Sequence, residues 1–286
     1  MSSFYGRRWE LFASDQLFIQ GGEGRQFKIE FEILVDFGGY QSYADISVFN
    51  LTDDTAQQVF RRGESIGLRA GYIDSIDFIF RGTIRNVLKE RRGPDRITRI
   101  IAYGGSLPDR TINQTLGRNT RITSIIQACA EAMGFPLLIN NAQFSNIPAY
   151  ARGYVMNGDP VKILENLAAT HNFSWVVEND RLVVVGPNAN RSGPPYNVSQ
   201  ATGMEGIPII TEVGADVDVR MTSKIRIGGQ INIQSELATF NFNNLYFQDI
   251  PPSAGTGIYN VQRLRYRGDS WGDPWTVTVT GIRPVN

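Results

Sequence analysis

The sequence predicts an α+β protein that is mainly β, with two antiparallel, barrel-like β-regions flanking a small α+β module. Three observations carry this. Apolar and polar residues alternate with period 2 towards both ends of the chain, as half-buried strands require. In the middle, apolar residues recur at helical spacing in two places. A content of 29 glycines and 11% aromatics favours strands and turns. The expected division is 1–108 for the first β-region, 109–187 for the module, 188–204 for a linker and 205–286 for the second β-region.

Composition bounds the function. A length of 286 residues suits one large domain or two to three small ones. Hydrophobic content of 42% is enough for real cores. Lys+Arg and Asp+Glu number 28 each, so net charge is zero. That argues against a dedicated nucleic-acid binder, which would show a basic excess, and against the polybasic bias of a membrane-surface protein. A single cysteine excludes an internal disulfide, so packing alone must hold the fold. The start, MSSFYGRRWELF, has no signal-peptide layout, and no run approaches transmembrane length. The expectation is a soluble chain made in a cytoplasm.

Taken in order, residues 1–24 form a weakly patterned lead-in ending in the turn Gly21-Gly22-Glu23-Gly24. This is not a phosphate loop, because no Lys-Ser/Thr follows. Phe27, Ile29, Phe31, Ile33 and Val35 alternate with Lys28, Glu30, Glu32 and Asp36 in the cleanest strand of the chain. Ala44, Ile46 and Val48 share a face of the next strand. Thr52 can cap a short helix with Asp53 and Asp54 in its first turn, and Gly63 stops it. Ile66, Leu68, Ala70 and Tyr72 form one strand face, and Phe78, Phe80 and Ile84 continue in the same phase around Gly82. Arg91-Arg92-Gly93-Pro94 is a hairpin turn. The first sheet or barrel ends near Gly105.

The module opens with a helix whose stripe is Ile122, Ile125, Ile126, Cys129, Ala130 and Met133, ended by Gly134. Leu137 to Ile139 is a short strand, and 140–153 is a loop. Asp159-Pro160 opens a second helix as N-cap and first-turn proline, with Val161, Leu164, Leu167 and Ala168 inside. Phe173 to Val177 and Leu182 to Val185 form a hairpin across Glu178-Asn179-Asp180. Residues 187–206 are rich in Pro, Gly, Ser and Asn and read as the linker. Strands then resume. Ile225, Ile227, Ile231 and Ile233 alternate with polar residues, as do Trp275, Val277 and Val279. Between them lies Tyr259-x-Val261-x-x-Leu264-x-Tyr266-x-Gly268-Asp269.

These residues carry a resemblance. The strand ending in Asn50-Leu51-Thr52, the Gly63-Glu64 stop, Ala70-Gly71-Tyr72 and Ile79-Phe80-Arg81-Gly82 together resemble the first tube domain of phage tail baseplate hub proteins. Ile163-Leu164, Leu167-Ala168, Phe173, Trp175 and Leu182 to Val185 are similar to the module those proteins carry between their tube domains. The run ending in Gly268-Asp269, with Trp275 beyond, resembles the end of the second tube domain. Tyr266 departs from the histidine common there, and Met221-Thr222-Ser223-Lys224 departs from a Leu-Leu-Asn-Pro-like run. The resemblance implies a homotrimer in the virion tail. Its partners would be the tail spike, the tail tube or tube initiator, the tape-measure protein and baseplate wedge or neighbouring baseplate proteins. DNA would only pass through, without membrane binding, cofactor or metal. A tail-associated cell-wall hydrolase, a hub of a related contractile injection or secretion system, and a glycan-binding module are the other readings.

Candidate chemistry is sparse. His171, the only histidine, falls at the end of the second helix, where it meets free carbonyls or solvent. One histidine builds no His-based zinc site. Cys129 lies on an apolar stripe with no activating base indicated. Glycosidases need two carboxylates, but Asp53-Asp54 serve the helix start, and Asp74, Asp77, Asp216 and Asp218 fall in loops or on exposed strand faces. No GxSxG elbow is present. Arg7-Arg8, Arg61-Arg62 and Arg91-Arg92 read as solvated ends and turns. Asn50, Asn113 and Asn197 match glycosylation acceptors without a secretion signal to give them meaning. Phe240, Phe242, Leu245, Tyr246, Phe247 and Ile250 read either as a core strand or as an apolar contact surface. The sequence therefore assigns no catalytic, cofactor-binding or metal residue.

Overall fold

Strands β1 (Arg7–Ala13) and β2 (Gln16–Gly21) form a hairpin that buries Trp9, Leu11 and Ala13, so the lead-in is more ordered than its pattern suggested. The computed structural model describes residues 6–22, 27–39, 41–105, 110–241 and 255–284. In β3 (Ile29–Asp36), Ile29, Phe31, Ile33 and Val35 are buried as the alternation requires. Phe27 is not part of that face. It precedes the strand and is 37% exposed, because pairing begins at Ile29, whose N–H donates to Ser270 Oγ. Strand β4 (Tyr43–Phe49) buries Ala44, Ile46 and Val48. Helix α1 (Asp53–Val59) is capped by Thr52, whose hydroxyl accepts the Thr55 N–H. It ends at Phe60, before Gly63. That glycine, at φ +90°, instead turns the chain into β5 (Ser65–Tyr72).

The long β6 (Ser75–Arg92) packs Phe80 and Ile84 on the same core as Ile66, Leu68, Ala70 and Tyr72. Phe78 breaks the expected phase. A bulge opposite Leu68/Arg69 shifts the strand so that Ile79 and Phe80 are both buried. Phe78 then turns to the other face, against Phe12 at 5.2 Å between ring centres and beneath Arg81 at 3.8 Å. Strand β7 (Asp95–Tyr103) returns across Gly93-Pro94.

The module contains β8 (Ile112–Leu116), α2 (Ile122–Met133), β9 (Leu137–Ile139), β10 (Tyr154–Gly158), α3 (Pro160–His171), β11 (Ser174–Glu178) and β12 (Arg181–Val185). The helix stripe of α2 is buried throughout and Gly134 caps it in the left-handed conformation. Asp159 accepts the Val161 N–H at 2.9 Å and Pro160 begins α3. The β8–β10 pair carries no clean alternation and was not visible in the pattern. The module docks through an isolated bridge between Gln41 and Val177, and through Asn179 Oδ1, which accepts the Arg81 N–H at 2.8 Å.

The chain returns through β13 (Tyr196–Val198), β14 (Met204–Thr211), β15 (Gly214–Arg220), β16 (Gln230–Ile233), β17 (Thr239–Asn241), β18 (Gly257–Asp269) and β19 (Trp275–Ile282). The stretch 187–206 is not bare linker, since β13 pairs in parallel with β16. Ile225 and Ile227 are buried but precede the strand, which starts only at Gln230. Of the apolar run before Pro251, Phe240 lies in β17 and packs on the core. Phe242, Leu245, Tyr246, Phe247 and Ile250 lie outside the described residues.

The pairing repeats itself. Strands β3-β4-β7-β6-β5 neighbour one another in that order, all antiparallel. Strands β14-β15-β19-β18-β16 do the same. Details coincide. A bulge falls at Arg85 in β6 and at Gln262 in β18. Just before each bulge, Gly63 donates to the Ile84 carbonyl and Gly228 to the Val261 carbonyl, both at 2.9 Å. Both glycines have positive φ.

The expected pair of barrels is replaced by one fourteen-stranded sheet, and no sheet closes on itself among the described residues. The reason is the length of β18, 13 residues. Its first part pairs with β16 and, beyond the bulge, the same edge pairs with β3 from Arg263↔Asp36 to Asp269↔Glu30. One core runs beneath both repeats, from Trp9 and Phe31 to Val277 and Val279, and a second fills the module.

Candidate inter-subunit surface

Alternation leaves one sheet face polar. On β18 the sequence Arg263-Leu264-Arg265-Tyr266-Arg267 buries Leu264 and Tyr266 and projects three arginines. On β3 the outward residues are Glu30, Glu32, Leu34 and Asp36. The joint between the repeats is therefore laced by charge. Arg263 meets Asp36 at 2.5 Å and Arg265 meets Glu32 at 2.7 Å. At the end of the ladder Lys28 bridges Glu30 at 2.7 Å and Asp269 at 3.1 Å. Farther along, Arg99 chelates Asp45 and also reaches Glu90, which hold its guanidinium still more firmly protonated. Between these groups lies a groove of about 520 Å³ lined by Glu30, Asp45, Arg99, Arg267 and Asp273 among others.

Burial alone would disfavour the charge on Asp269. The N–H groups of Trp271 and Gly272 and the Lys28 ammonium outweigh it and hold the carboxyl below the usual range. Under the sheet, the joint is apolar. Phe31 lies against Gly268 and edge-on to Trp275, with ring centres 5.5 Å apart.

A second cleft, about 320 Å³, lies where β6, the β11–β12 hairpin and β18 meet. Its Glu178 is raised by burial, countered by Arg191 at 3.0 Å and by Arg226. At the edge of the same cleft the Ser223 hydroxyl donates to Asp77 Oδ2 at 3.5 Å.

The residues singled out for chemistry do not converge. His171 is the last residue of α3 and its Nε2 lies 2.8 Å from Tyr150 Oη, so a phenol, rather than carbonyls or solvent, is its partner. Cys129 is buried and its thiol is pushed up to about 12 by that burial, which leaves it inert. Asp53 and Asp54 start α1; Asp218 faces Thr278 and Arg267 on the sheet. Asn50, at φ +59°, spends its side chain on Asp95 and the Arg96 N–H. Arg7 is not a solvated end; it ties β1 to the carbonyls of Asp269 and Gly272. No group of three or more His, Cys, Asp or Glu among the described residues could hold a metal ion, and no helix there is long and apolar enough to cross a membrane. The sequence reading missed the ionic joint. Its signal was present, in arginine at every second position of 263–267 and acids at three of the four outward positions of β3, Glu30, Glu32 and Asp36.

The chain thus presents two repeats of one pairing order, joined edge to edge in a single sheet with a charged outer face. Residues 26–281 match the family model described as baseplate hub gp41, and the chain belongs to that family. It is thus a phage tail baseplate protein, which works in association with other tail components. The fold is shared with the 43 kDa tail protein of prophage MuSo2 from Shewanella oneidensis, at a TM-score of 0.62 and 11% identity, covering 97% of each chain. It is shared equally with the tail protein from Neisseria meningitidis MC58, at 0.61 and 11% identity, covering 98% of this chain and 97% of that one. No curated protein sequence matches.

Proposed function

We propose that the chain is a non-enzymatic hub subunit that assembles as a homotrimer on the tail axis of the virion. The observation that carries this is the internal duplication within one sheet. Three copies, each supplying two equivalent repeats, give six positions around one axis. Such a ring adapts a six-fold tail tube above to a three-fold spike below and encloses a channel. DNA and the tape-measure protein pass through it on ejection, and wedge or neighbouring baseplate proteins hold it from outside. In this reading 1–108 and 205–286 are the two tube domains, 109–187 is the module between them and 188–204 connects them. The charged sheet face, with its balanced ion pairs, suits a lumen that neither traps nor repels a polyanion.

Cryo-EM of assembled tails tests the reading. Three copies per tail, each giving two positions of a six-part ring, is the expected result. Six copies, or density off the axis, overturns it. The cell-wall hydrolase reading is tested by zymography on peptidoglycan. No clearing is expected, and clearing that is lost on replacing one Asp or Glu would displace the structural role.

A further inference from the structure

On the sheet face Arg99, Arg263 and Arg265 each meet a carboxylate. In the cleft where the module meets both repeats the balance is different. Its walls hold Arg81, Arg181, Arg191 and Arg226 against two acids, Asp77 and Glu178. Arg191 is spent on Glu178 at 3.0 Å. Arg81 stacks on Phe78, and Asp180 in the adjoining turn feels its charge. Arg181 and Arg226 are exposed and make no ion pair among the described residues. A second cavity, of about 240 Å³, shares Arg181, Val183, Arg191 and Arg226 as a common wall. The two unpaired guanidiniums therefore line both spaces.

These arginines are placed by backbone contacts rather than by acids. Asn179 Oδ1 accepts the Arg81 N–H, and Asn179 and Asp180, both at positive φ, turn the chain into Arg181. The Arg191 N–H donates to the Gly228 carbonyl, which ties it to the turn carrying Arg226. Arg226 itself is anchored between buried Ile225 and Ile227. Guanidinium forks match carboxylates in geometry, and groups already held in place lose less freedom on binding.

We propose that this cleft binds an acidic peptide segment of a neighbouring tail protein, whose carboxylates pair with Arg181 and Arg226. The class of occupant follows from the walls. Single-stranded nucleic acid needs aromatic faces for its bases beside a basic track. The aromatic residues here are Phe78, covered by Phe12 and Arg81, and Tyr266, which is buried. Glu178 in the same wall opposes a continuous run of phosphates, whereas a peptide sets single carboxylates on the two arginines. That the segment belongs to a tail protein rests on the hub reading above; the cationic cleft does not.

The test titrates the purified chain into hexaglutamate carrying a dye at one end and an amide at the other, at about 50 mM salt, where screening is weak. Saturable binding, read as fluorescence anisotropy, is expected. Arg181→Glu with Arg226→Glu should weaken it at least about tenfold, since two charge-assisted contacts become repulsive. A thermal unfolding midpoint equal to that of the wild type shows that this variant folds. Asp77→Asn keeps an oxygen for the Phe78 N–H and should tighten binding about two- to threefold by removing a competing acid. Arg118→Glu with Arg121→Glu is the control. Both residues are exposed and line neither cavity, so affinity should stay within about twofold. No saturable binding, or equal weakening in the control, overturns the site. Hexathymidylate that binds more tightly than the peptide, and is lost with Arg181 and Arg226, makes the cleft a nucleic-acid site and overturns the peptide. Tails assembled with the Arg181→Glu, Arg226→Glu chain give the last readout. Fewer complete tails are expected; wild-type yield overturns a tail protein as the source of the segment. Copy number on the axis is read from wild-type tails, so the hub reading and the cleft fail or stand separately.

Discussion

The first and second repeats share a backbone plan and little else. The first has a capped helix between its second and third strands and a two-residue turn at Gly93-Pro94. The second has turns around Met221–Gly229 in place of the helix and a long connection carrying β17. What persists is the inward alternation (Ala44, Ile46 and Val48 against Ala215, Val217 and Val219), one bulge and one left-handed glycine. The comparison teaches that pairing order tolerates any outward residue, provided the inward set and the positions of backbone irregularity are kept. A one-residue slip would move every inward side chain to the polar face.

The largest expected effect is at the joint. Phe31, 5% exposed, packs against Gly268 and Trp275 of the other repeat. Phe31→Ala should cost about 3–5 kcal/mol by chemical denaturation. A single cooperative transition is expected in the variant as in the parent; separate transitions for the two repeats would break the view that they share one core.

The paired glycines sharpen the comparison. At Gly63 an added Cβ meets nothing within 4 Å, so Gly63→Ala should cost only the left-handed strain, about 1–2 kcal/mol. At Gly228 a Cβ would lie 2.7 Å from Val185 Cγ2 and 3.1 Å from the Phe37 ring. Gly228→Ala should therefore lose a further 1–3 kcal/mol or so, from overpacking. Equal losses at the two sites would show that the module does not press on the second repeat.

Asp269 has no acidic counterpart in the first repeat, where Arg92 stands. Its folded pKa is depressed, so its contribution is present above the unfolded value near 3.9 and lost as pH falls towards the folded value. Asp269→Asn should lower stability at neutral pH and flatten the acid limb below about pH 4. An unchanged acid limb would remove the Lys28–Asp269 bridge from the joint.

The smallest effect belongs to the exposed ladder. A double-mutant cycle on Arg265 and Glu32, each 47% exposed, should give a coupling under about 1 kcal/mol. A larger value would make charge, rather than Phe31 and its neighbours, the main bond between the repeats.

The sequence by itself determined the strand faces of Ile29 to Val35 and Ala44 to Val48, the Thr52 cap, the stripe of α2, the Asp159-Pro160 start of α3 and the Trp275 strand. Each is set by local periodicity or by a side chain bonding its own backbone, and such information lies within one element. Only the tertiary structure decided the phase of Phe78, because the bulge at Ile79, opposite Leu68 and Arg69, depends on the partner strand. It alone decided where Gly63 acts, where β16 begins and that His171 meets Tyr150. It alone decided that β18 holds both β16 and β3, since a polar alternating strand carries no label for its neighbour. The duplication was hidden from the sequence for that reason. Backbone hydrogen bonds between strands use groups common to every residue, so pairing order can be kept while nearly every outward side chain changes.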